Sequence, residues 1–429
     1  MILVLVSPRQ RGIDLAAALP DRLEKCVVLT GGPVPAGAEQ AAETVTVTPY
    51  RTEDIVEAGL RLAQRHPISR VVSFAEADVL AAATLREQLQ LPGQHPASAQ
   101  AYRDKGLMRR YTADAGLPAP RWWLVERASQ VRAFAGRHGW PVVVKPRSSS
   151  GSVGVHVLHS EADLARLPAE LPGHLVEQLV EGEVVHVDGL IVEGRPVFAL
   201  PAAYTELGCL AHWADRGSGS YLLGRDHPWY RPLVEELWRV VAALPGDGTL
   251  LLHAEFFVAE GRRPVLCEIA SRLPGHPIPP MINRALGVDL RHTWLRIAAG
   301  LPVDLDRLTE AAANPVPVAN YGLPPRLGRL AALPGEPPAE CAGWVHDLMP
   351  LAQPGEVWDE ARYAERKSGD FVLTWTVTAP NHAVLDQRLR RAAELFEEQV
   401  RWERPDDHDH AERTTAGTGS LAAVTGGGR

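Results

Sequence analysis

Two glutamates in residues 250–275, LLLHAEFFVAEGRRPVLCEIASRLPG, have the type and the spacing of a metal site. The segment reads as two strands joined by a four-residue turn, Glu260–Arg263, so antiparallel pairing places Glu255 opposite Glu268. Directly opposed carboxylates have Cβ atoms roughly 4.5–5.5 Å apart and repel each other, which predicts a cation between them. Oxygen ligands that leave room for water and phosphate suit Mg²⁺. The alternative is two exposed glutamates on a twisted hairpin, and a register slip of one residue would separate them.

Arg272 extends this pattern. If the second strand continues that far, the arginine lies on the same face as Glu268. A guanidinium beside a metal pair suits the transfer of a phosphoryl group, because negative charge has to be stabilised on the transferred oxygens. The segment therefore predicts phosphoryl chemistry.

The segment PVVVKPRSSSGSVGVHV, residues 141–157, ends a buried strand with a lysine. A charge out of water needs a partner, and the small side chains after Pro146 let backbone N–H groups approach an anion. Lys145 would add a fixed positive charge at the base of that loop. The segment lacks the Gly-Lys-Ser/Thr end of a Walker A loop. The alternative is a flexible hairpin tip with a lysine that reaches solvent.

The segment LVEQLVEGEVVHVDGLIVEGRPVFAL, residues 175–200, contains a second candidate binding turn. One strand ends in acidic residues at Gly182, and another strand follows. A carboxylate and backbone groups at such a turn could hold an adenine amino group and ribose hydroxyls. The alternative is a surface hairpin with solvated glutamates.

The N-terminal part of the chain reads as strands that alternate with helices. MILVLVSP, KCVVLTGG and RVVSFAEADV read as parallel strands, with helical patterns at 55–65 and 78–89. The alternation predicts a doubly wound α/β domain that extends to about residue 100. Residues 101–116 read as a helix that ends before the LPAP sequence.

The rest of the chain reads as α+β and α/β segments. Residues 121–183 form a compact α+β stretch, and 184–300 alternate strands and helices around a loop-rich insertion, 202–232. The aromatic residues of that insertion, including Trp213 and Tyr221, suggest a wall for one substrate, with ordinary packing as the alternative. The predicted domains are 1–100 (N-terminal α/β), 101–183 (linker helix and lid), 184–314 (catalytic), 315–403 (small C-terminal) and 404–429 (disordered tail).

Composition excludes several classes of protein. The chain has 429 residues, so two or three domains are expected, and its net charge of −8 argues against nucleic acid as the main partner. Its four cysteines are far apart and form no CxxC pair, which fits a reducing cytoplasm. No segment reaches the ~18 apolar residues of a membrane span. We expect a cytoplasmic protein without a membrane partner, and self-association as a homodimer is compatible with the sequence.

Taken together, these segments resemble the ATP-grasp superfamily, in particular the carboxylate–amine ligases related to L-amino acid ligases and carnosine synthase. The resemblance covers roughly residues 1–400 and includes the Asp104-Lys105 helix, the Lys145 strand with its GSVGV loop, EQLVEGE, HVDG, HAEF and EIASR in the family's order. It implies an N-terminal α/β domain, a central lid subdomain and a C-terminal ATP-grasp domain with a small terminal subdomain.

The resemblance also implies roles for individual residues. Lys105 and Lys145 would contact the phosphates of ATP, and Mg²⁺ would be held by Glu255 and Glu268, while Arg272 would stabilise the transferred phosphoryl group. The remaining implied contacts are the lid loop over the phosphates (Gly151, Ser152 and Gly154), adenine (Glu177 and the backbone of Val180) and the ribose (Glu183).

Two departures from the family are visible. Val184 stands where many relatives carry the ribose glutamate, so Glu183 replaces it in this assignment, and Ala270 stands where many relatives carry an asparagine. The second departure puts a second Mg²⁺ in doubt.

The expected reaction joins a carboxylate to an amine through an acyl phosphate and releases ADP and phosphate, with amino-acid-like small molecules as substrates. His276, close in sequence to Arg272, is a candidate contact for the acid. Other ATP-grasp chemistry, such as carboxylation or phosphorylation, and an inactive nucleotide-binding regulatory protein are the alternatives.

Overall fold

A computed structural model describes residues 1–205, 217–246, 248–366 and 369–403. The predicted tail and Trp213 lie outside these residues. Among the described residues, no helix is both long and apolar enough to cross a membrane.

The first sheet is parallel, with the strand order β3-β2-β1-β4, and its central strands are fully buried runs of apolar residues. Helices cover both faces, which explains why these strands lack polar alternation. The edge strand β3 was not predicted, because its residues alternate between exposed and half-buried. The elements are β1 (Ile2–Val6), α1 (Leu15–Ala18), β2 (Cys26–Thr30), β3 (Glu43–Thr46), α2 (Thr52–Arg65), β4 (Arg70–Val72), α3 (Val79–Gln88) and α4 (Pro96–Ala101), with 3₁₀ turns at Leu23–Lys25 and Ala38–Gln40.

A second, antiparallel sheet follows with the order β5-β8-β6-β7. The helix predicted over 101–116 is interrupted, because Asp104 accepts hydrogen bonds from the backbone N–H groups of Gly106 and Leu107 and starts a new helix. The elements are α5 (Lys105–Asp114), β5 (Trp122–Arg127), α6 (Ala128–His138), β6 (Val142–Pro146), β7 (His156–Leu158) and β8 (Glu170–Gln178), with a 3₁₀ helix at Glu161–Arg166.

The third region contributes five strands and four helices among the described residues. Its elements are β9 (Glu183–Val192), β10 (Arg195–Tyr204), β11 (Ser218–Leu222), α7 (Tyr230–Ala243), β12 (Leu250–Val258), β13 (Val265–Ala270), α8 (Ile278–Leu286), α9 (Leu290–Ala298) and α10 (Leu305–Ala313).

The C-terminal region continues the same sheet, which has eight strands in the order β13-β12-β9-β10-β11-β14-β18-β16. The predicted boundary at 314 therefore does not separate two sheets. The same region also forms a separate three-stranded sheet with the order β17-β15-β19. The elements are β14 (Val318–Leu323), β15 (Gly328–Ala332), β16 (Val345–Pro350), β17 (Val357–Trp358), α11 (Glu360–Ala364), β18 (Leu373–Thr378), α12 (His382–Gln399) and β19 (Arg401–Glu403).

The two faces of the large sheet differ in chemistry. On one face, residues such as Val187 of β9 and Phe256 of β12 pack against α7 in an apolar core. On the other, Leu190 and Leu251 pack against α8 and α9. Because side chains alternate along a strand, this second face also carries a stretch of polar residues on β9 and β12. That stretch builds the candidate site.

Candidate active site

Strands β12 and β13 pair so that Glu255 lies opposite Glu268, as the sequence predicted. Glu255 is buried, and one of its oxygens, Oε1, accepts a hydrogen bond of 2.6 Å from the hydroxyl of Tyr204 on β10. Across the pair, the ammonium of Lys105 lies 2.9 Å from Oε2 of Glu268. The two carboxylates therefore meet on one face of the sheet, and each already has one polar partner.

The charge on Glu268 is stabilised by its cationic neighbours. Burial alone would raise the pKa of this carboxyl, but Lys105, together with Lys145 and Arg272, outweighs that effect and lowers the pKa to about 2. Lys105 is itself buried and also donates to the backbone carbonyl of Ser149 at 2.9 Å. One lysine thus connects the carboxylate pair to the small-residue loop that follows β6.

A bulge in β13 keeps the two glutamates in register. Glu255 faces Glu268 but Phe256 faces Leu266, so Cys267 is an extra residue between them. β12 ends at Val258 and β13 begins at Val265, so the connection between the two strands is longer than the predicted four-residue turn. The irregular backbone is satisfied by Arg109, which donates to the carbonyls of Leu266 at 3.0 Å and of Cys267 at 2.9 Å.

Arg109 is fully buried and was missed by the sequence analysis. Its position four residues after Lys105 in α5 places both cations on one face of the helix, and that spacing was an available signal. Its Nε also donates to Oε2 of Glu177 at 3.0 Å. Arg109 therefore joins β8 of the second sheet to the bulge beside the carboxylate pair.

Lys145 at the end of β6 is buried and pairs with Oε1 of Glu177. Glu177 thus has Arg109 on one oxygen and Lys145 on the other. Burial would raise the pKa of Glu177, but these two cations keep it below its usual range. The predicted contacts of Lys145 with phosphate and of Glu177 with adenine stay predictions, and both would have to be made alongside this ion pair.

The loop after β6 has the backbone conformation of a small-residue cradle. Gly151, Ser152 and Gly154 all have positive φ, at 64°, 59° and 73°. A Cβ on Gly154 would lie 2.9 Å from Cγ of Pro146, so a larger residue would displace the loop. At the base of the loop, the guanidinium of Arg147 pairs with both carboxylate oxygens of Asp104.

Arg272 lies just beyond β13, which ends at Ala270, so the strand does not continue as far as predicted. Its Nε donates to Oε2 of Glu76 at 2.6 Å, and Glu76 also pairs with Arg103 at 3.3 Å. Glu76, on the segment after β4, was not singled out in the sequence. Glu76 fixes the Arg272 guanidinium at the edge of a cavity that both residues line.

The carboxylate pair opens into a cavity of about 740 Å³. Glu255 and Glu268 line it together with Arg272 and His276, and the small-residue loop contributes Ser150, Gly151 and Ser152. The segment after β1, residues 7–12, lines another part, where a parallel sheet presents the carboxyl ends of its strands. The volume is in the range of small-molecule sites.

A buried His–Asp–His cluster supports the floor of this cavity. Both oxygens of Asp188 accept hydrogen bonds of 2.8 Å, one from Nδ1 of His186 and the other from Nδ1 of His253. Burial would raise the pKa of Asp188, but His253 and His186 lower it below its ordinary range. Because an ionised carboxylate needs donors, both imidazoles carry a hydrogen on Nδ1. The three side chains are close enough together to hold a metal ion. Their hydrogen bonds occupy both oxygens of Asp188 and Nδ1 of each histidine, while Nε2 of His186 is buried without a partner among the described residues.

The turn between β8 and β9 contains the other predicted nucleotide contacts. Gly182 has a φ of 142°, and a Cβ there would lie 2.4 Å from the carbonyl oxygen of Val258. Val180 is half-buried before the turn, and Glu183 is exposed at the first position of β9. Their predicted contacts with adenine and ribose stay predictions.

Tyr221 does not line this cavity, so its predicted contact with a substrate stays a prediction without support from the cavity's lining. On β11, Tyr221 pairs with Ala203 and packs on the α7 face of the sheet, whereas its neighbour Ser220 pairs with Tyr204 and lines the cavity. The two-residue period of the strand therefore directs Tyr221 away from the site. His276 does line the cavity, and its Nε2 lies 2.8 Å from Oγ1 of Thr374.

Comparison with known proteins supports a ligase relationship. No known protein-family profile matches the chain. The chain is 26% identical over 310 residues to an L-arginine-specific L-amino acid ligase of Bacillus subtilis, covering 68% of this chain and 72% of the relative. It is 28% identical over 250 residues to dapdiamide A synthase of Enterobacter agglomerans, covering 54% and 57% of the two chains. The crystal structure of an L-amino acid ligase from Bacillus licheniformis superposes with a TM-score of 0.70 at 15% identity, covering 94% of this chain and 99% of that one.

The chain has the ATP-grasp fold, and the relatives with a named activity include an L-amino acid ligase and a dapdiamide synthase. The fold class and the superfamily predicted from the sequence are confirmed.

Proposed function

We propose that this protein is an ATP-dependent ligase that joins the carboxylate of one amino-acid-like molecule to the amine of another. The reaction passes through an acyl phosphate and releases ADP and phosphate. The observation that carries this proposal is Glu255 opposite Glu268 in one cavity with Arg272. Paired carboxylates, an arginine and a small-residue loop are the groups that phosphoryl transfer needs in one place.

The carboxylate pair fits Mg²⁺. Glu255 and Glu268 come from adjacent strands and face the same cavity, and two carboxylates leave coordination positions for water and phosphate oxygens. Lys105 would have to give up its ion pair with Oε2 of Glu268, or share that oxygen with the metal. Mg²⁺ held there would neutralise charge on the transferred phosphoryl group.

The protein's own residues supply position and charge. Lys105 and Lys145 would bring positive charge to the phosphates, and the loop with Gly151, Ser152 and Gly154 would cover them and exclude water from the acyl phosphate. Arg272, held by Glu76, would stabilise the phosphoryl oxygens.

The nucleotide base would lie at the turn between β8 and β9. In this proposal Glu177 and the backbone of Val180 contact adenine, and Glu183 contacts the ribose. The exposed position of Glu183 and the close approach of Gly182 to the backbone of Val258 are compatible with a ligand at this turn.

A screen for ADP release tests the proposal. Pairs of amino acids are incubated with ATP and Mg²⁺, and the products are identified by mass spectrometry. We expect ADP and an amide in equal amounts for at least one pair. ADP release with bicarbonate in place of the acid would identify carboxylation instead, and ATP binding without ADP release for any pair would identify an inactive nucleotide-binding protein.

A further inference from the structure

Arg291 is a half-buried cation at the cavity, and the described residues offer its guanidinium no matching anion. It is the second residue of α9 and lines the cavity with Arg11 and His276. Its Nε is buried without a hydrogen-bond partner among the described residues. No carboxylate in the described parts of the chain forms an ion pair with its guanidinium. A charge removed from water without a partner is costly, so the site favours an anion.

Three other arginines of the cavity show the contrast. Arg272 pairs with Glu76 at 2.6 Å, and Arg9 pairs with Asp370 at 3.3 Å. Arg362 pairs with Glu356 at 2.8 Å. Each of these three arginines has a carboxylate partner in the chain, whereas the described residues provide none for Arg291.

The surroundings of Arg291 are positive and polar. Asp289, the nearest acid that acts on it, is engaged at the start of α9, where it accepts from the backbone N–H of His292 at 2.9 Å. Burial lowers the pKa of Arg291, and Asp289 offsets this only in part. The N-terminal end of α9 adds partial positive charge.

Arg11 adds a second positive charge beside Arg291, and His276 is the neutral polar group between them. Burial, Arg291 and Arg11 together lower the pKa of His276 to about 4, so the imidazole is neutral at pH 7 and both guanidinium groups lie close enough to act on it. Gly12 packs against Arg291, since a Cβ there would lie 3.6 Å from Cζ of the guanidinium. Its φ of 71° keeps the loop after β1 in this close approach.

We infer that Arg291, assisted by Arg11, binds a carboxylate of a substrate that does not react. This inference rests on the proposed ligase function and specifies the substrate class. The reacting carboxylate is consumed when the acid is activated, so the bound group is either the free carboxylate of the amine substrate or a side-chain carboxylate of the acid. A guanidinium suits either one, because its planar donors match a carboxylate with two parallel hydrogen bonds.

Calorimetry with matched ligands tests this inference. The protein is loaded with Mg²⁺ and adenylyl imidodiphosphate and titrated with L-alanine, L-arginine and L-glutamate, and then with L-alaninamide, L-argininamide and L-glutamine. We expect at least one acid to bind more tightly than its amide by a factor on the order of 10 to 100. A preference for alanine or arginine over the amides that Arg291→Gln abolishes places the amine substrate's carboxylate at Arg291. A preference for glutamate over glutamine alone places the side chain there.

Variants assign the preference to the residue. Arg291→Gln should abolish the preference without changing the affinity for the nucleotide, and Arg291→Lys should retain part of it. The Lys variant keeps the buried charge and so covers the case in which the Gln variant is unstable. Arg307→Gln, on the exposed side of α10, removes the same charge outside the cavity and should keep the preference.

The outcomes separate this inference from the proposed function. Acids that bind no better than their amides, an unchanged preference in Arg291→Gln, or a loss of nucleotide affinity alone would each overturn the role of Arg291. A wild-type protein that prefers the acid but releases no ADP would keep the role of Arg291 and reject the ligase.

Discussion

Glu255 lies directly opposite Glu268 on β12 and β13, although the pairing shifts by one residue immediately beyond them. The extra residue, Cys267, is tolerated because Arg109 donates hydrogen bonds to the backbone carbonyls of the bulge. The Glu268 carboxylate is compensated by Lys105 at 2.9 Å. The pair is therefore pre-formed by the protein.

Replacing either glutamate of the pair with glutamine should remove activity but not the fold. The amide has nearly the shape of the carboxylate and lacks its charge, so we expect turnover to fall by a factor on the order of 10² or more, about 2.7 kcal/mol or more of barrier. The double variant should be little worse than either single one, because the two carboxylates act as a unit. Glu260→Gln, at the exposed tip of the same hairpin, is the control. Near-normal ADP production by Glu255→Gln and Glu268→Gln at saturating Mg²⁺ would rule out the metal site.

Lys145→Met should lower both ATP affinity and stability. Lys145 and Arg109 share Glu177 in a buried cluster, so removing one cation leaves the carboxylate with a single partner. We expect a loss of about 1–3 kcal/mol in the free energy of unfolding, and a weaker ATP affinity by roughly 10- to 100-fold. Urea unfolding and calorimetry measure these effects, with the exposed Lys25→Met as the control. Unchanged ATP affinity would remove Lys145 from the phosphate site.

Asp188→Asn should destabilise the protein. The carboxylate accepts from two buried imidazoles, and an asparagine offers one acceptor and one donor in its place. One histidine then loses its partner, which costs about 2–4 kcal/mol. Urea unfolding of this variant is compared with that of Asp386→Asn, whose side chain is 62% exposed. Equal stability of the two variants would contradict the role of the cluster.

Tyr204→Phe should weaken the response to Mg²⁺, whereas Tyr221→Phe should not. The first change removes the 2.6 Å hydrogen bond to Glu255, and the second lies on the opposite face of the sheet. Loss of one hydrogen bond predicts a rise of roughly 2- to 10-fold in the Mg²⁺ concentration for half-maximal ADP release. An equal response in the two variants would show that Tyr204 does not support the carboxylate.

His276 should make stability depend on pH below neutrality. Its pKa in the folded protein, about 4, lies below the ordinary value of about 6.5. The unfolded chain therefore binds more protons between these values, so this contribution to stability is complete above pH 6.5 and is lost as the pH falls towards 4. Unfolding measured from pH 8 to 4 should show a smaller decrease for His276→Asn. A decrease as large as that of the wild type would exclude His276 as its source.

The sequence predicts those parts of the site in which local pattern decides position. The opposition of Glu255 and Glu268 follows from hairpin pairing, and the loop at Gly151 follows from its small residues. The orientation of Tyr221 was missed, because which face of a strand is buried depends on the packing of α7, which lies outside the strand's own sequence.

The charged partners were harder to predict. Arg109, Glu76 and Arg291 contact or face residues that are distant in sequence, and an arginine in a helix is most often exposed. Their roles depend on how separate elements pack together, and neither spacing nor composition specifies that.

Transfer of oxygen from the acid to phosphate tests the central claim most directly. An acid substrate labelled with ¹⁸O in its carboxylate is incubated with ATP, Mg²⁺ and the amine, and the phosphate is analysed by mass spectrometry. In the proposed reaction a carboxylate oxygen attacks the γ-phosphorus, and the amine then displaces phosphate from the carbonyl, so each phosphate should carry one acid-derived oxygen. Formation of the amide with phosphate free of the label, or with the label in AMP, would contradict an acyl phosphate in this site.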